Sequence, residues 1–347
     1  MGLVPGHGIV RRLVRARPLI GGLVLLAACE HAQPFGAPPA EPDVPFASAF
    51  PRLLTFNPGS DLTPSWLPDG SAIIYTVSLN RADRDLCIGL LPAEGGHQLR
   101  VICHTPAALD GDSTNALLEP AVGPGGALAY VRESSLLGAV APKRRELVVG
   151  SLAAPEPGRA IVTFPYTGPD GQLRDDASHL HWIDSTSLVY VVDQVTYFTQ
   201  GTFADTIVAP IEIVRADLAG ASPVFTIVPG TANATSLDVD SSGAIIYTLP
   251  GDTRVYRLAA AGGAASVLYD FGSAGVPNDV QVRGKVLVAL IDGRLKRATV
   301  GDSAVVPMPS PDSSQVLGRP ALAPSAGRVV VELQGDAPAD LWLLQVP

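Results

Sequence analysis

One short pattern recurs six times along the chain and constrains the fold more than any other feature of the sequence. Its clearest copy, residues 64–75, reads PSWLPDGSAIIY, which is a strand, a tight turn and a second apolar strand. Pro-Asp-Gly and Ser-Gly turns supply the fixed and the positive φ angles that such a reversal requires. The copies end at Tyr75, Tyr130, Tyr190, Tyr247, Val288 and Val331, with spacings of 55, 60, 57, 41 and 43 residues.

A second hairpin follows most copies of the pattern. Residues 85–90 lead through the Glu-Gly-Gly turn at 94–96 to residues 98–103, and residues 254–258 lead through Ala-Gly-Gly to residues 265–269. Four strands per copy and six copies predict an all-β chain, a six-bladed β-propeller of four-stranded antiparallel blades. A two-sheet sandwich with a similar number of strands is the alternative, although it does not explain the recurring turn.

The repeat resembles the WD-like propeller repeat of the TolB family, in which P-x-W-S-P-D-G precedes an apolar strand. The resemblance covers residues 50–347 unevenly: Leu67 replaces the motif Ser, Val122 replaces the Trp, and the fifth copy keeps little of the motif. TolB proteins carry an α/β domain ahead of the propeller and serve the Tol-Pal envelope system. Only 36 residues, many of them Pro, separate Cys29 from Trp66 here, so the resemblance does not extend to that domain or that role.

The two ends of residues 50–347 are expected to meet in one blade. The last copy supplies strands at 329–333 and 340–346 and then stops, so its fourth strand is missing. Residues 50–56, FPRLLTF, precede the first copy and resemble the end of the repeat. We therefore predict that residues 52–56 pair antiparallel with 340–346, so that the last blade is closed by an N-terminal strand and covers its apolar edge.

The N-terminus predicts a bacterial lipoprotein. Four arginines within residues 1–17 precede an apolar stretch at 19–28, which is typical of a secretory signal. Residues 26–29, LAAC, resemble the lipobox, and this resemblance implies cleavage after residue 28 and lipidation of Cys29. The expected organisation is a signal peptide at 1–28, a lipidated Cys and Pro-rich tether at 29–49, and the propeller at 50–347. The alternative is an ordinary signal peptide with an incidental Cys.

A lipoprotein signal predicts a location in the bacterial cell envelope, with the protein anchored to a membrane on the periplasmic face or at the cell surface. Removal of residues 1–28 takes away four Arg and no acid, which changes the net charge from −9 to −13. Such a charge repels nucleic acid, so no nucleic-acid partner is expected. Two acyl chains, rather than the short apolar stretch, would hold the protein at the membrane.

Cys87 and Cys103 are predicted to form a disulfide. They lie at equal distances in sequence from Gly95, at the centre of a Gly-containing hairpin turn. Residues placed in this way face each other on adjacent antiparallel strands, at separations that a disulfide can bridge. An extracytoplasmic compartment allows the bond to form. Two buried free thiols are the alternative.

The candidate binding residues come from the places where the repeat lengthens, at 104–117, 132–144, 166–176 and 193–208. In a propeller these connections lie on one face, so we expect a loop-rich face that carries the function. The candidates on its loops are Asp110, Asp112, Tyr166, Arg174, Asp175, Tyr197, Phe198 and Phe203.

A metal site has only weak candidates, His179 and His181, which follow Asp175 and Asp176. Residues two apart on a strand share a face, and imidazole with carboxylate suits Zn or Mn, but ordinary core packing explains the same residues. No Gly-x-Ser-x-Gly, Walker or Cys-x-x-Cys motif is present, so the sequence predicts no catalytic residue and no cofactor.

The leading hypothesis is a monomeric, lipid-anchored binding or scaffold module for an envelope protein or glycan. The alternative is a carbohydrate-active propeller enzyme, either a lyase or a quinoprotein dehydrogenase, and a purely structural envelope component is a third possibility. Three or more titratable side chains converging on the central channel would favour the enzyme.

Overall fold

The computed structural model describes residues 50–79, 85–104, 113–136, 144–164, 172–200, 203–260, 262–335 and 338–347. The predicted signal peptide, lipidated Cys29 and tether lie outside these residues.

The fold is an all-β six-bladed propeller, as the repeat predicts, and each blade is a four-stranded antiparallel sheet. The strands of the first three blades are β2 (Asp61–Trp66), β3 (Ala72–Val77), β4 (Cys87–Pro92) and β5 (Arg100–Ile102); β6 (Ser113–Val122), β7 (Ala127–Leu136), β8 (Arg144–Ser151) and β9 (Arg159–Phe164); and β10 (Gln172–Trp182), β11 (Ser187–Gln200), β12 (Phe203–Asp217) and β13 (Val224–Ile227).

The strands of blades 4 to 6 are β14 (Ser236–Val239), β15 (Ile245–Thr248), β16 (Arg254–Leu258) and β17 (Ser266–Asp270); β18 (Val280–Arg283), β19 (Val286–Ile291), β20 (Arg294–Thr299) and β21 (Val305–Pro307); and β22 (Val316–Leu322), β23 (Arg328–Gln334), β24 (Asp340–Gln345) and β1 (Arg52–Leu53). Two short 3-10 turns occur at Pro124–Gly126 and Gly272–Ala274. Within the described part of the chain, no helix has the length and hydrophobicity needed to cross a membrane.

The strand β1 forms the outer edge of the sixth blade. It pairs antiparallel with β24 through Arg52 opposite Leu343 and Leu53 opposite Trp342. The pairing continues past the strand, because the Leu54 N–H donates to the Leu341 carbonyl at 2.8 Å. The Leu341 N–H then donates to Thr55 Oγ1 at 2.9 Å, so a side chain takes over from the backbone and β1 is shorter than the predicted 52–56.

Local hydrogen bonds stabilise the recurring turn. In blade 1 the Asp69 carboxylate accepts the Ser71 N–H at 3.0 Å, and Gly70 adopts a φ of 72°. In blade 4 Asp240 accepts the Ser242 N–H at 2.8 Å, and Gly243 adopts a φ of 78°. In these two blades the Asp and the Gly with positive φ therefore have a structural role in the turn.

The motif tryptophans join neighbouring blades. Trp66 Nε1 donates to the Ala321 carbonyl of blade 6 at 2.8 Å, and Trp182 Nε1 donates to the Ala121 carbonyl of blade 2 at 3.1 Å. Each indole thus satisfies its only donor while it packs between two sheets. The regular aromatic position of the repeat is an inter-blade contact.

A disulfide joins Cys87 to Cys103, and their Cα atoms are 4.5 Å apart. The register of β4 and β5 places Ile88 opposite Ile102, so the two cysteines are the next pair along the hairpin. The equal spacing of Cys87 and Cys103 from Gly95 therefore agrees with the observed register of the two strands.

Replacing both Cys87 and Cys103 by Ser should lower the free energy of unfolding by about 3 kcal/mol, because a loop of roughly this length is no longer closed in the unfolded chain. Urea denaturation of the oxidised protein and the double variant measures the difference. The wild-type protein kept in reductant is the matched control and should denature like the variant. Equal stability of the oxidised protein and the variant would contradict this expectation.

A buried carboxyl group at the start of β2 predicts a loss of stability as the pH rises towards neutral. Asp61 is fully buried and accepts two hydrogen bonds from Asn57 Nδ2, at 2.6 and 2.7 Å. Burial raises the pKa of Asp61 to about 7, against the opposing hydrogen bonds of Thr55 and Asn57. Since the folded state then holds the proton more tightly than the unfolded chain, stability falls as pH rises from about 4 through 7.

The Asp61→Asn variant should therefore lose about 2 kcal/mol less than the wild type when the pH is raised from 5 to 8. Chemical denaturation at several pH values measures this difference, and every other titrating group is common to both proteins. Parallel pH profiles would show that Asp61 titrates normally.

Of the expected loops at 166–176 and 193–208, the structure describes residues 172–176, 193–200 and 203–208, and all of these belong to strands. For these residues the prediction of loops is wrong. In the structure β10 begins at Gln172, β11 extends to Gln200, and β12 begins at Phe203. The ladder between β11 and β12 continues to Gln200 opposite Phe203. β-Branched residues such as Val195 and Ile207 continue the strand pattern, which favours a long hairpin over a loop.

The extended ends of β10, β11 and β12 all lie on one face of the propeller, because successive strands alternate in direction. We call this the extended face; it is the face predicted to be loop-rich. The opposite face, where the first and second strands of each blade connect, is called the turn face.

Candidate functional site

The central channel is lined by the first strand of each blade, and four of these strands are irregular. A β-bulge interrupts β2, β6, β10 and β22. In the first three, the bulge contains Thr63, Glu119 and His179, which have φ angles of 48°, 55° and 51°. Left-handed backbone is costly for such side chains and is enriched at functional sites, as are bulges.

Four charged or titratable side chains meet in the middle of the channel, and we call them the channel layer: Glu119, His179, Asp279 and Arg319. Arg319 forms an ion pair with Glu119, and His179 Nε2 lies 2.8 Å from Asp279 Oδ1. The His179 N–H donates to Glu119 Oε2 at 3.0 Å. The two ion pairs join blade 6 to blade 2 and blade 3 to blade 5. Each pair therefore reaches past an intervening blade and spans the channel.

The channel layer holds its carboxylates in the ionised state. Burial alone would raise the pKa of Glu119, but the charges of Arg319 and His179 outweigh it and hold that pKa below the ordinary value. For Asp279 the hydrogen bond and charge of His179 likewise outweigh burial and lower the pKa. Burial acts to lower the pKa of Arg319, yet the carboxylates of Glu119 and Asp279 raise it. The layer is a network of hydrogen bonds and charges in which Arg319 compensates the carboxylates.

Two more carboxyl groups with raised pKa values lie close to the layer. Burial raises the pKa of Asp193, which accepts a hydrogen bond from the Ser178 hydroxyl. Burial also raises the pKa of Glu332, which accepts the backbone N–H of Thr63. Both carboxyl groups therefore accept hydrogen bonds beside the channel layer, and burial opposes their ionisation.

A cavity lies on each side of the channel layer. The cavity on the turn face has a volume of about 290 Å³, and Glu119, His179 and Arg319 form part of its lining. The cavity on the extended face, of about 530 Å³, is lined by Asp279, Arg319 and Glu332 among others. Because both cavities share Arg319, the layer lies between them.

A second polar group lines the cavity on the turn face. Arg283 NH1 donates to Asp238 Oδ2 at 2.8 Å, and the Val282 N–H donates to the same oxygen at 2.7 Å. His181 Nδ1 lies 3.6 Å from the other oxygen, Asp238 Oδ1. Burial lowers the pKa of His181 to about 4, against the opposing charge of Asp238, so its imidazole is neutral at neutral pH.

The two metal candidates do not share a ligand arrangement. His179 contacts Asp279 and His181 faces Asp238. The bulge between Ser178 and His181 removes the simple alternation on which the His-x-His argument depended. Across the described ranges, no group of three His, Cys, Asp or Glu side chains could hold a metal ion.

The predicted binding residues fall into two sets. Asp110, Asp112 and Tyr166 lie outside the described residues. Arg174 and Asp175 belong to β10, Tyr197 and Phe198 to β11, and Phe203 to β12. All five of these stand on strands at the extended face, and Asp175 is exposed.

The sequence analysis did not single out Glu119, Asp279 or Arg319. The repeat itself contains a signal for three of the four residues of the channel layer. Glu119, His179 and Arg319 lie two residues before Ala121, His181 and Ala321, respectively. Those three residues pair with equivalent positions of the neighbouring strand, Ala129, Val189 and Val330. One position of the repeat thus supplies three of the four residues in the channel layer.

No family model matches this sequence, and no curated protein matches it either. Among solved structures, a gluconolactonase from Xanthomonas campestris is similar, with a TM-score of 0.53 and 12% identity over 87% of this chain and 91% of that chain. A luciferin-regenerating enzyme has a TM-score of 0.50 and 13% identity, covering 85% of this chain and 95% of that chain. An oligogalacturonate lyase in complex with manganese has a TM-score of 0.49 and 13% identity over 87% and 95% of the two chains. At such identities the likeness shows a shared propeller fold.

Proposed function

We propose that this protein is a lipid-anchored, extracytoplasmic propeller of the TolB type that binds an envelope protein through its extended face. The outer edge of β12 carries the proposal. β13 pairs with β12 only from Val214 to Asp217. Among the described residues no strand lies outside 203–209. An unpaired edge offers backbone N–H and C=O groups to an added strand.

The side chains of blade 3 support the same proposal. Ile207 and Val208, on the part of β12 that β13 does not cover, are 56% and 57% exposed. Exposed apolar residues around a sheet edge are typical of a protein-binding surface. A protein partner is favoured over a glycan, because a peptide strand can pair with the free backbone groups.

Site-specific photocrosslinking in cells tests this function. A photoreactive amino acid replaces Val208, and the matched control places it at Val267 of β17, a valine that is 50% exposed on blade 4. We expect a discrete protein adduct from position 208 and none from position 267. Equal adducts at both positions, or none at either, would contradict the proposal, and an adduct with glycan alone would replace the protein partner by a glycan.

The anchor makes a separate prediction. Cys29→Ala should move the protein from the membrane fraction to the soluble fraction, because no sulfur remains to carry the acyl chains. Fractionation with palmitate labelling measures the change, and Cys103→Ala is a matched control that should remain in the membrane fraction. Labelling that survives Cys29→Ala would contradict lipidation at this residue.

A carbohydrate-active enzyme is the second candidate, and the channel layer is the observation that favours it. Three or more titratable side chains converging on the channel were expected to favour an enzyme, and the channel layer contains four. The test is turnover of an oligogalacturonate by the wild type and by His179→Gln, with folding checked by circular dichroism. Turnover lost in the folded variant would establish the enzyme, and absence of turnover in the wild type would reject this lyase activity.

A further inference from the structure

The cavity on the turn face is not used by the proposed docking function, because it opens on the side opposite the extended hairpin of blade 3. Residues from all six blades line it, and its volume is about 290 Å³. Ligand sites in proteins commonly have about this volume or more, with apolar walls and a few placed polar groups. Its position on the propeller axis makes it a separate candidate site.

The cavity has two chemically different walls. Blades 6, 1 and 2 are consecutive in the ring, and each contributes a Pro-x-x-x-Pro segment of the repeat. The six prolines of this apolar wall are Pro64, Pro68, Pro120, Pro124, Pro320 and Pro324. Blades 3 and 5 oppose it with the polar side chains of His181, Gln281 and Arg283. A ligand that fits both walls needs an apolar face and a hydrogen-bonding edge.

The charges around the cavity are already compensated. Arg283 pairs with Asp238, and Arg319 pairs with Glu119. An ionic ligand would find no unpaired opposite charge among the described residues of the lining, and its own desolvation would remain uncompensated. The balance of charge favours a neutral ligand.

The polar wall keeps free donors. Arg283 uses NH1 for Asp238 Oδ2 and for the Val282 carbonyl, while NH2 has only a 3.4 Å contact with Gln281 Oε1. Gln281 is 92% buried as a whole residue and lines the cavity. Among the hydrogen bonds of the described residues, its side chain takes part through Oε1, which leaves Nε2 available as a donor at the cavity wall. An amide nitrogen at a cavity wall can donate a hydrogen bond to a bound ligand.

The same wall also offers an acceptor. Asp238 Oδ1 is buried without a hydrogen-bond partner among the described residues, and His181 Nδ1 is 3.6 Å away. This carboxylate oxygen favours the tautomer with the proton on Nδ1, which leaves His181 Nε2 as an acceptor. Donors and an acceptor side by side match hydroxyl groups, which both donate and accept.

We propose that the cavity on the turn face binds a small, neutral, polyhydroxylated molecule of monosaccharide size. Its hydroxyl groups contact Gln281, Arg283 and His181, and its C–H face packs against the proline wall. The proposal concerns binding only. It is independent of strand docking at the extended face and of turnover at the channel layer.

Calorimetry and saturation-transfer NMR on the purified propeller test the proposal, with D-glucose, D-galactose, D-mannose and myo-inositol as neutral probes at millimolar concentration. D-Glucuronate is the charged comparison. We expect at least one neutral probe to bind saturably with one site per chain. Failure of all four to bind, or tighter binding of glucuronate than of glucose, would overturn the proposal.

Gln281→Leu should weaken binding about tenfold or more, because it removes the amide donor while keeping the size of the side chain. Gln194→Leu is the matched control, since this glutamine is exposed on the extended face, and it should bind like the wild type. If Gln281→Leu does not fold, His181→Phe supplies the second variant and should abolish binding by filling the cavity. Unchanged affinity in a folded cavity variant would contradict the site.

Discussion

Deletion of residues 341–347 is expected to abolish the folded state of the whole propeller, with no partly folded remainder of five blades. These residues include most of β24, which lies between β23 and β1 and so holds the first and last parts of the ring together. Leu341, Leu343 and Leu344 are completely buried. Burying each leucine contributes about 1.5–3 kcal/mol, so their loss alone approaches the net stability of a typical domain, which is about 5–15 kcal/mol.

Circular dichroism during thermal unfolding measures this effect. The truncated chain should show no cooperative transition, whereas deletion of Pro347 alone, which is exposed and outside the strand, should melt like the wild type. A cooperative, native-like transition in the long truncation would contradict closure of the ring by β1 and β24.

The second large effect is expected at the channel layer. Arg319→Met should cost about 3–5 kcal/mol, because it leaves the Glu119 carboxylate buried without its ionic partner. The double variant Arg319→Met with Glu119→Gln should recover part of this loss, since no uncompensated charge remains. Urea denaturation of the wild type, both single variants and the double variant gives the coupling free energy.

Strictly additive losses would contradict an interaction between these two side chains. Arg257→Met is a useful control, because its partner Asp240 also accepts hydrogen bonds from Ser242 at the surface of the turn. This pair, whose Arg257 side chain is 36% exposed, should contribute about 1 kcal/mol or less.

The sequence predicts the propeller well because the blade is built from local signals. In the turn, Asp69 accepts a backbone N–H and Gly70 adopts the positive φ that the reversal needs. The motif Trp occupies a fixed position between two blades. The position of Gly95 likewise corresponds to the register of the hairpin that carries the disulfide. Such features depend on residues that are close in the chain or that recur at a fixed place in each blade.

The site is less predictable, because its contacts join blades that are far apart in sequence. His179 meets Asp279 and Arg319 meets Glu119 only after the ring has closed. The bulge at His179 also breaks the alternation from which the face of a strand residue is deduced. The long hairpin of β11 and β12 differs from the predicted loop, because the blade pattern predicts strand positions but gives no measure of strand length.

Hydrogen–deuterium exchange tests the central proposal, docking at the extended face, most directly. The protein is measured alone and again with the partner identified by crosslinking at position 208. We expect rapid exchange of the amides on the unpaired edge of 203–209 in the free protein and strong protection of the same amides in the complex. Exchange in β17 should be the same in both states. Protection confined to blade 4 or to the turn face, or exchange of 203–209 that is identical in both states, would contradict docking at the extended face.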